Sequence, residues 1–354
     1  MAHMGYIVFV AIGDHAIIQE SLVSLQSLLK VTNRNFWNSY AVLVYTDMPE
    51  RYGLFSMNPN IIIETVSQQK AYSWTDGNKY KYKVKICALL DVLQRYNSTV
   101  VLVDTDTMFL SSPEALFEDI NTNHIAILNY AENTLKQIVE REKLRMLPER
   151  REFFFLLYES GKLQYAGNTY LTPPEMEHWN SGVIGLCPAH KDLLLEALHL
   201  SDYIFEKYGL RTSEQLALSY VFQNKSALHS SKEVVFHYWP FQECRYMLEN
   251  YFSRSFYDYP RQYMRDFVIR WIQQIRQWDI PYNLLFDLMV CILNYKRKQT
   301  QAWNYDFESD SFMRKIICDK NYFQNCLQNV GTYCDIKGYA LSELLPCFEE
   351  SDVL

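Results

Sequence analysis

A chain of 354 residues, 49% hydrophobic and 21% charged, can bury a sizeable core in one large α/β domain with an appendage or in two domains. Its net charge of −7 excludes a general electrostatic attraction to nucleic acid or an anionic membrane, so an anionic substrate would need local cations. No run of 18 apolar residues and no basic-then-apolar start occurs, which argues against a membrane span or signal peptide in the sequence as given.

Tyr6 opens an apolar strand, YIVFVAIG, closed by a glycine. HAIIQESLVSLQSLLK behind it predicts an amphipathic helix, because Ile18, Leu22, Leu25 and Leu29 recur at spacings of four, three and four. YAVLVY, Tyr40 to Tyr45, is a second strand, and Asn60 to Ile63 begins a third. A helix from about Lys79 to Tyr96 carries Tyr82, Ile86, Leu93 and Tyr96 on one face and Lys79, Lys81, Lys83 and Lys85 in its first turns. Four lysines at a helix N-terminus suit a diphosphate, against the competing reading of a solvated basic face. Strands alternating with helices over short connections imply a mainly parallel sheet flanked by helices.

VVLVDTDTMFL, Val100 to Leu110, is the stretch around which the rest is organised. Its apolar start predicts a strand buried on both faces, and open α/β sheets place their ligands at the ends of such strands. Asp104 and Asp106 would point to one side with Thr105 opposite. Two like charges that close need a cation between them or a raised pKa, and oxygen ligands favour a hard ion such as Mg²⁺ or Mn²⁺.

Ser111-Ser112-Pro113-Glu114 predicts an N-cap and a short helix to Phe117, and His124 to Tyr130 the next strand. Residues 131–178 are charged and helical in pattern, an insertion that either shapes a substrate pocket or is a surface excursion. HWNSGVIGLCP puts polar residues before another buried strand, Lys191 to Tyr208 is helical, and TSEQLALSYVF starts a helix on a capping box with Glu214-Gln215. EVVFHYWPF, Glu233 to Phe241, is a last strand with His237 at its exit. Beyond it the chain turns helical in pattern and dense in aromatic residues and arginine, which favours an added helical domain over a sugar-, anion- or membrane-contacting surface. Eight cysteines are spaced singly without C-x-x-C pairs, so reduced thiols are the default. Four of them fall in the last 37 residues, which keeps a disulfide-stapled tail in an oxidising lumen open.

The order of these features resembles the metal-dependent glycosyltransferases of the GT-A fold, and among them the glycogenin and lipopolysaccharide-galactosyltransferase group (glycosyltransferase family 8-like). KVKICALLDVLQRYNSTVVLVDTDTMFLSSPEALFE is similar to that group's lysine-led helix, D-x-D strand and following helix, WNSGVIGLCP to its F-N-[SA]-G-V strand, and Glu214-Gln215 to its Asp-Gln pair. The resemblance covers roughly residues 5 to 240. It implies that Asp104, Asp106 and His237 hold Mn²⁺ (or Mg²⁺), and that Ala11, Ile12, Lys85, Thr105 and Ser181 line the nucleotide-sugar site. Asn180 and Ser181 would face the donor sugar, with Gln215 nearby. The group follows its histidine with Gly-x-x-Lys-Pro-Trp, whereas this chain reads His237-Tyr-Trp-Pro-Phe-Gln, so the phosphate contact of that lysine must be missing or come from another residue such as Arg245.

These readings predict an α/β GT-A catalytic domain over 1–240 and a helical extension over 241–354. The expected activity is Mn²⁺-dependent transfer of a sugar from a nucleotide sugar, UDP-linked by preference, to a glycan, lipid-linked or protein hydroxyl. Retention is the group's habit; inversion would call on Glu175 or Glu177 as base. A sugar-nucleotide pyrophosphorylase is disfavoured because VAIGDHAI has one glycine and no following basic residue. A dead scaffold is disfavoured because both aspartates and the histidine are present. The expected location is the cytoplasm, peripheral to a membrane through the extension. The Golgi lumen is expected instead if an anchor preceded the vector-like MAHM start.

Overall fold

The computed structural model describes residues 3–53, 55–142 and 148–239. In chain order these form β1 (Gly5–Ala11), α1 (His15–Val31), α2 (Arg34–Ser39), β2 (Tyr40–Thr46), β3 (Ile61–Thr65), α3 (Gln68–Trp74), α4 (Lys83–Tyr96), β4 (Thr99–Val103), β5 (Thr107–Phe109) and α5 (Glu114–Asn123). There follow β6 (Ala126–Leu128), β7 (Ala131–Thr134), α6 (Leu135–Glu142), α7 (Pro148–Ser160), β8 (Lys162–Tyr165), β9 (Asn168–Leu171), β10 (Glu177–Trp179), β11 (Val183–Leu186), α8 (Lys191–Tyr208), α9 (Ser213–Lys225), β12 (Leu228–Ser230) and β13 (Val235–His237). Seven strands form one sheet in the order β12-β6-β11-β4-β1-β2-β3. It is the expected mainly parallel sheet, with β11 reversed between β4 and β6.

Strand alternation divides the core into two layers. Ile7, Phe9, Val42, Val44, Val101 and Val103 pack with Leu22 and Leu25 of α1 and Phe117 of α5, while Val8, Leu43, Tyr45, Val100 and Leu102 pack with Ile86 and Leu89 of α4 and Leu200 of α8. Every residue of β4 is buried. Burying each such aliphatic side chain is worth about 1.5–3 kcal/mol, so β4 is anchored from both faces and its end is a fixed platform.

The run from Val100 to Leu110 is not one strand: it leaves the sheet after Val103 and resumes as β5, which pairs with β13 instead. α4 begins at Lys83 rather than Lys79, because Tyr80 turns inward, stacks on Phe205 at 4.4 Å and bonds the Ser201 hydroxyl at 2.7 Å. The turn before it passes through Asp76, Gly77 and Asn78 at φ of 49°, 72° and 64°, which no right-handed helix allows. α5 runs past Phe117 because Ile120 continues its apolar face, and a left-handed His124 ends it, so β6 starts only at Ala126.

Residues 131–142 and 148–178 are not a surface excursion. β7 pairs antiparallel with β10, and Phe153, Phe154, Leu157, Leu163 and Tyr170 enter the second core layer. The domain boundary at 240, the extension over 241–354, Arg245 and six of the eight cysteines lie outside the described residues. Among the described residues, Cys87 and Cys187 are free thiols and no helix is long and apolar enough to cross a membrane.

Candidate active site

The carboxyl end of β4 delivers Asp104 to the sheet edge, and the turn after it is held by backbone bonds. The Asp104 amide donates to the Gly182 carbonyl at 2.7 Å, and the Tyr238 amide to the Asp106 carbonyl at 3.0 Å. Thr107 Oγ1 donates to the Asp104 carbonyl at 2.7 Å. Pairing of β5 with β13 sets His237 opposite Thr107, which is why a histidine 131 residues further along the chain reaches Asp106.

One oxygen of each aspartate and one nitrogen of His237 lie within 4.8 Å of one another, the one such trio among the described residues. His237 Nε2 is 3.1 Å from Asp106 Oδ1 and 3.8 Å from Asp104 Oδ2. Around an octahedral ion with bonds of about 2.1 Å, adjacent ligands sit about 3 Å apart and opposite ones about 4.2 Å. Both histidine–carboxylate separations fall in that span, so the three side chains fit a divalent cation. Two carboxylates and an imidazole are a donor set for a divalent cation. A Cβ on Gly182 would lie 2.1 Å from His237 Nδ1, so only glycine lets the imidazole seat here.

Lys85 is the cation of the site. Its Nζ lies 2.6 Å from Asp104 Oδ2, 4.0 Å from Glu214 Oε1 and 3.4 Å from the Ser181 hydroxyl. Burial pushes its ammonium down, but Asp104 and Glu214 outweigh this and hold it above the ordinary lysine range. Glu214 is 2% exposed, and burial raises its carboxyl by more than Lys85 and Ser181 lower it. The other three lysines of the expected basic cluster do not join. Lys79 and Lys81 precede α4, and Lys83 pairs with Asp202 at 2.7 Å.

The expected capping box on α9 is absent: Thr212 makes no side-chain cap bond. The Glu214 carboxylate turns inward and accepts from the Ser181 hydroxyl at 3.1 Å and the Tyr80 hydroxyl at 3.2 Å. Gln215 Oε1 accepts from the Ser181 amide at 3.3 Å, and its Nε2 donates to Glu132 Oε2 at 3.3 Å. Asn180 is buried, with Nδ2 donating to Glu132 Oε1 at 2.8 Å and Oδ1 accepting from the Gly182 amide at 2.8 Å.

The structure therefore brings Asp104, Asp106, His237, Lys85, Ser181, Asn180, Glu214 and Gln215 into one network. Thr105 lies buried between the aspartates, and buried Ala11 ends the neighbouring parallel strand with half-buried Ile12 after it. Glu175 and Glu177 are exposed. Sequence reasoning missed Glu132, which touches both Asn180 and Gln215. Its position in AENT, just past a short apolar strand, carries no motif, and only the pairing of β7 with β10 reveals it.

No family model and no curated protein sequence matches the chain. Among solved structures it is similar to mouse xyloside xylosyltransferase 1 at 14% identity and a TM-score of 0.43, over 64% of this chain and 84% of that one. It is similar to the WbbM bifunctional glycosyltransferase at 14% identity and a TM-score of 0.41, over 65% of this chain and 38% of that one. It is also similar to the galactosyltransferase LgtC, solved with donor and acceptor sugar analogues, at 14% identity and a TM-score of 0.39, over 64% of this chain and 73% of that one.

Proposed function

We propose that this chain is a glycosyltransferase that moves a sugar from a nucleoside diphosphate, with UDP the favoured nucleotide, to a hydroxyl of a glycan, lipid-linked or protein acceptor. The observation that carries this reading is the convergence of Asp104, Asp106 and His237 at the carboxyl edge of the parallel strands, with the Lys85 ammonium on the same carboxylate. The ordered sequence features that resemble the GT-A group supply the substrate class.

The reaction breaks the bond between the anomeric carbon and the terminal phosphate oxygen and forms one to the acceptor oxygen, whose proton passes to the departing phosphate or to water. Asp104, Asp106 and His237 would hold a divalent ion, which would supply positive charge for the leaving diphosphate so that departure would need no proton donor. Lys85, whose ammonium lies 2.6 Å from Asp104 Oδ2, would add positive charge in a water-poor site. Ser181, Asn180 and Gln215 orient the sugar. Retention of configuration is favoured as the habit of the group the sequence resembles, and the oxygens of Glu132 already accept from Asn180 and Gln215.

The test is calorimetric titration of UDP in Mn²⁺ and in excess chelator. Binding is expected in Mn²⁺ and should collapse in chelator; equal binding in both refutes the metal-dependent site.

A further inference from the structure

The orientation of the Asn180 amide follows from its partners. The Gly182 amide points at Oδ1 and can only donate, while Glu132, as a carboxylate, can only accept from Nδ2. The remaining contact of Oδ1, at 2.8 Å, is with His237 Nδ1, which must therefore carry a hydrogen. A neutral ring then has its lone pair on Nε2, the nitrogen 3.1 Å from Asp106 Oδ1 and 3.8 Å from Asp104 Oδ2.

Glu132 sits at the head of this chain of bonds. β7 places it beside β10, and the backbone bonds Asn180 amide to Tyr130 carbonyl at 2.8 Å and Asn129 amide to Asn180 carbonyl at 3.0 Å tie the two segments together. Its second oxygen accepts from Gln215, so neither oxygen can turn away without loss. A ligating histidine is commonly fixed by what its other nitrogen touches, and here that partner is itself fixed by a carboxylate.

We propose that Glu132 is a positioning residue for the metal ligand: through Asn180 it holds His237 as the Nδ1–H tautomer, with the Nε2 lone pair turned toward Asp104 and Asp106. This rests on the reading of Asp104, Asp106 and His237 as a divalent-ion site and adds the residue that readies it.

The experiment compares wild type, E132Q and the double variant E132Q/N180D. In E132Q two amide donors face a group with only one acceptor, so one bond is lost and the Asn180 amide is freed to reverse. In the double variant the bond between positions 132 and 180 runs the other way: the new amide donates to the new carboxylate, Gln215 keeps an acceptor and His237 Nδ1–H keeps its own. Mn²⁺ affinity, read from the paramagnetic resonance signal of free ion, is expected to fall about tenfold in E132Q and to recover in the double variant. In the metal-free proteins, ¹⁵N resonances of the His237 ring should report a hydrogen held on Nδ1 in wild type and double variant and a mixture in E132Q. Unchanged affinity and tautomer in E132Q, or a folded double variant that does not recover, overturns the proposal. Failure of wild type to bind Mn²⁺ at all overturns the metal reading beneath it, and the two failures are thus told apart.

Discussion

Replacing Gly182 by alanine tests the site through one methyl group. The added Cβ would lie 2.1 Å from His237 Nδ1, 2.5 Å from Cε1 and 2.6 Å from Cγ, so the ring must retreat by about 1 Å or more to reach van der Waals contact. Metal–ligand distances tolerate about 0.2 Å, so such a retreat removes His237 as a ligand. A loss on the order of 100-fold in Mn²⁺ affinity follows, the upper end for displaced ligand support. With Mn²⁺ at a hundred times the wild-type dissociation constant, wild type gains about 2.7 kcal/mol of stability and the variant only about 0.4 kcal/mol. The assay is chemical denaturation with and without Mn²⁺. Gly185→Ala is the control: its Cβ would meet Ile120 Cδ1 at 2.8 Å and Ile127 Cβ at 2.9 Å, away from the site. Both substitutions overpack and should cost about 1–3 kcal/mol without metal, but only Gly182→Ala should lose the Mn²⁺ increment. A Gly182→Ala protein stabilised by Mn²⁺ as much as wild type would refute the placement of His237 in the metal site.

Asp106→Asn should fold like wild type, since Tyr238 bonds the backbone carbonyl, yet lose transfer by more than about 100-fold; an active variant in a radiolabelled sugar-transfer assay would mean that the wrong carboxylates have been chosen. Glu214 has a raised carboxyl pKa, so its contribution to stability is complete below the ordinary value of 4.5 and is lost as pH rises through its folded pKa. Denaturation midpoints should therefore shift in favour of Glu214→Gln over wild type as pH climbs from 4.5, and a difference independent of pH would exclude the shift. Tyr80→Phe removes the hydroxyl bonded to Ser201 and Glu214, both buried, and should cost about 1–3 kcal/mol in urea unfolding; a neutral result would show that water replaces it.

The mainly parallel sheet and the position of Asp104 and Asp106 past the end of a buried strand were legible in the sequence for a local reason. Strand alternation and buried runs such as VVLV are short-range patterns, and a pair of carboxylates ending one is costly wherever it folds. Helix ends were less legible. α4 starts late because Tyr80 finds Phe205 and Ser201, and α9 forgoes its capping box because Ser181 and Tyr80 draw the Glu214 carboxylate inward. Both outcomes depend on residues more than 30 positions away, which no local propensity encodes.

The site itself shows the same division. Sequence alone placed acidic, basic and imidazole groups in the chain and, by resemblance, in one site. Tertiary structure decided their neighbours: Lys85 reached Asp104 while Lys83 was taken by Asp202, and the register of β5 with β13 set His237 beside Asp106. Glu132 had no motif to announce it, because a carboxylate acquires this function only from the hydrogen-bonding direction of the two amides it faces, and that direction exists only once β7 and β10 are paired.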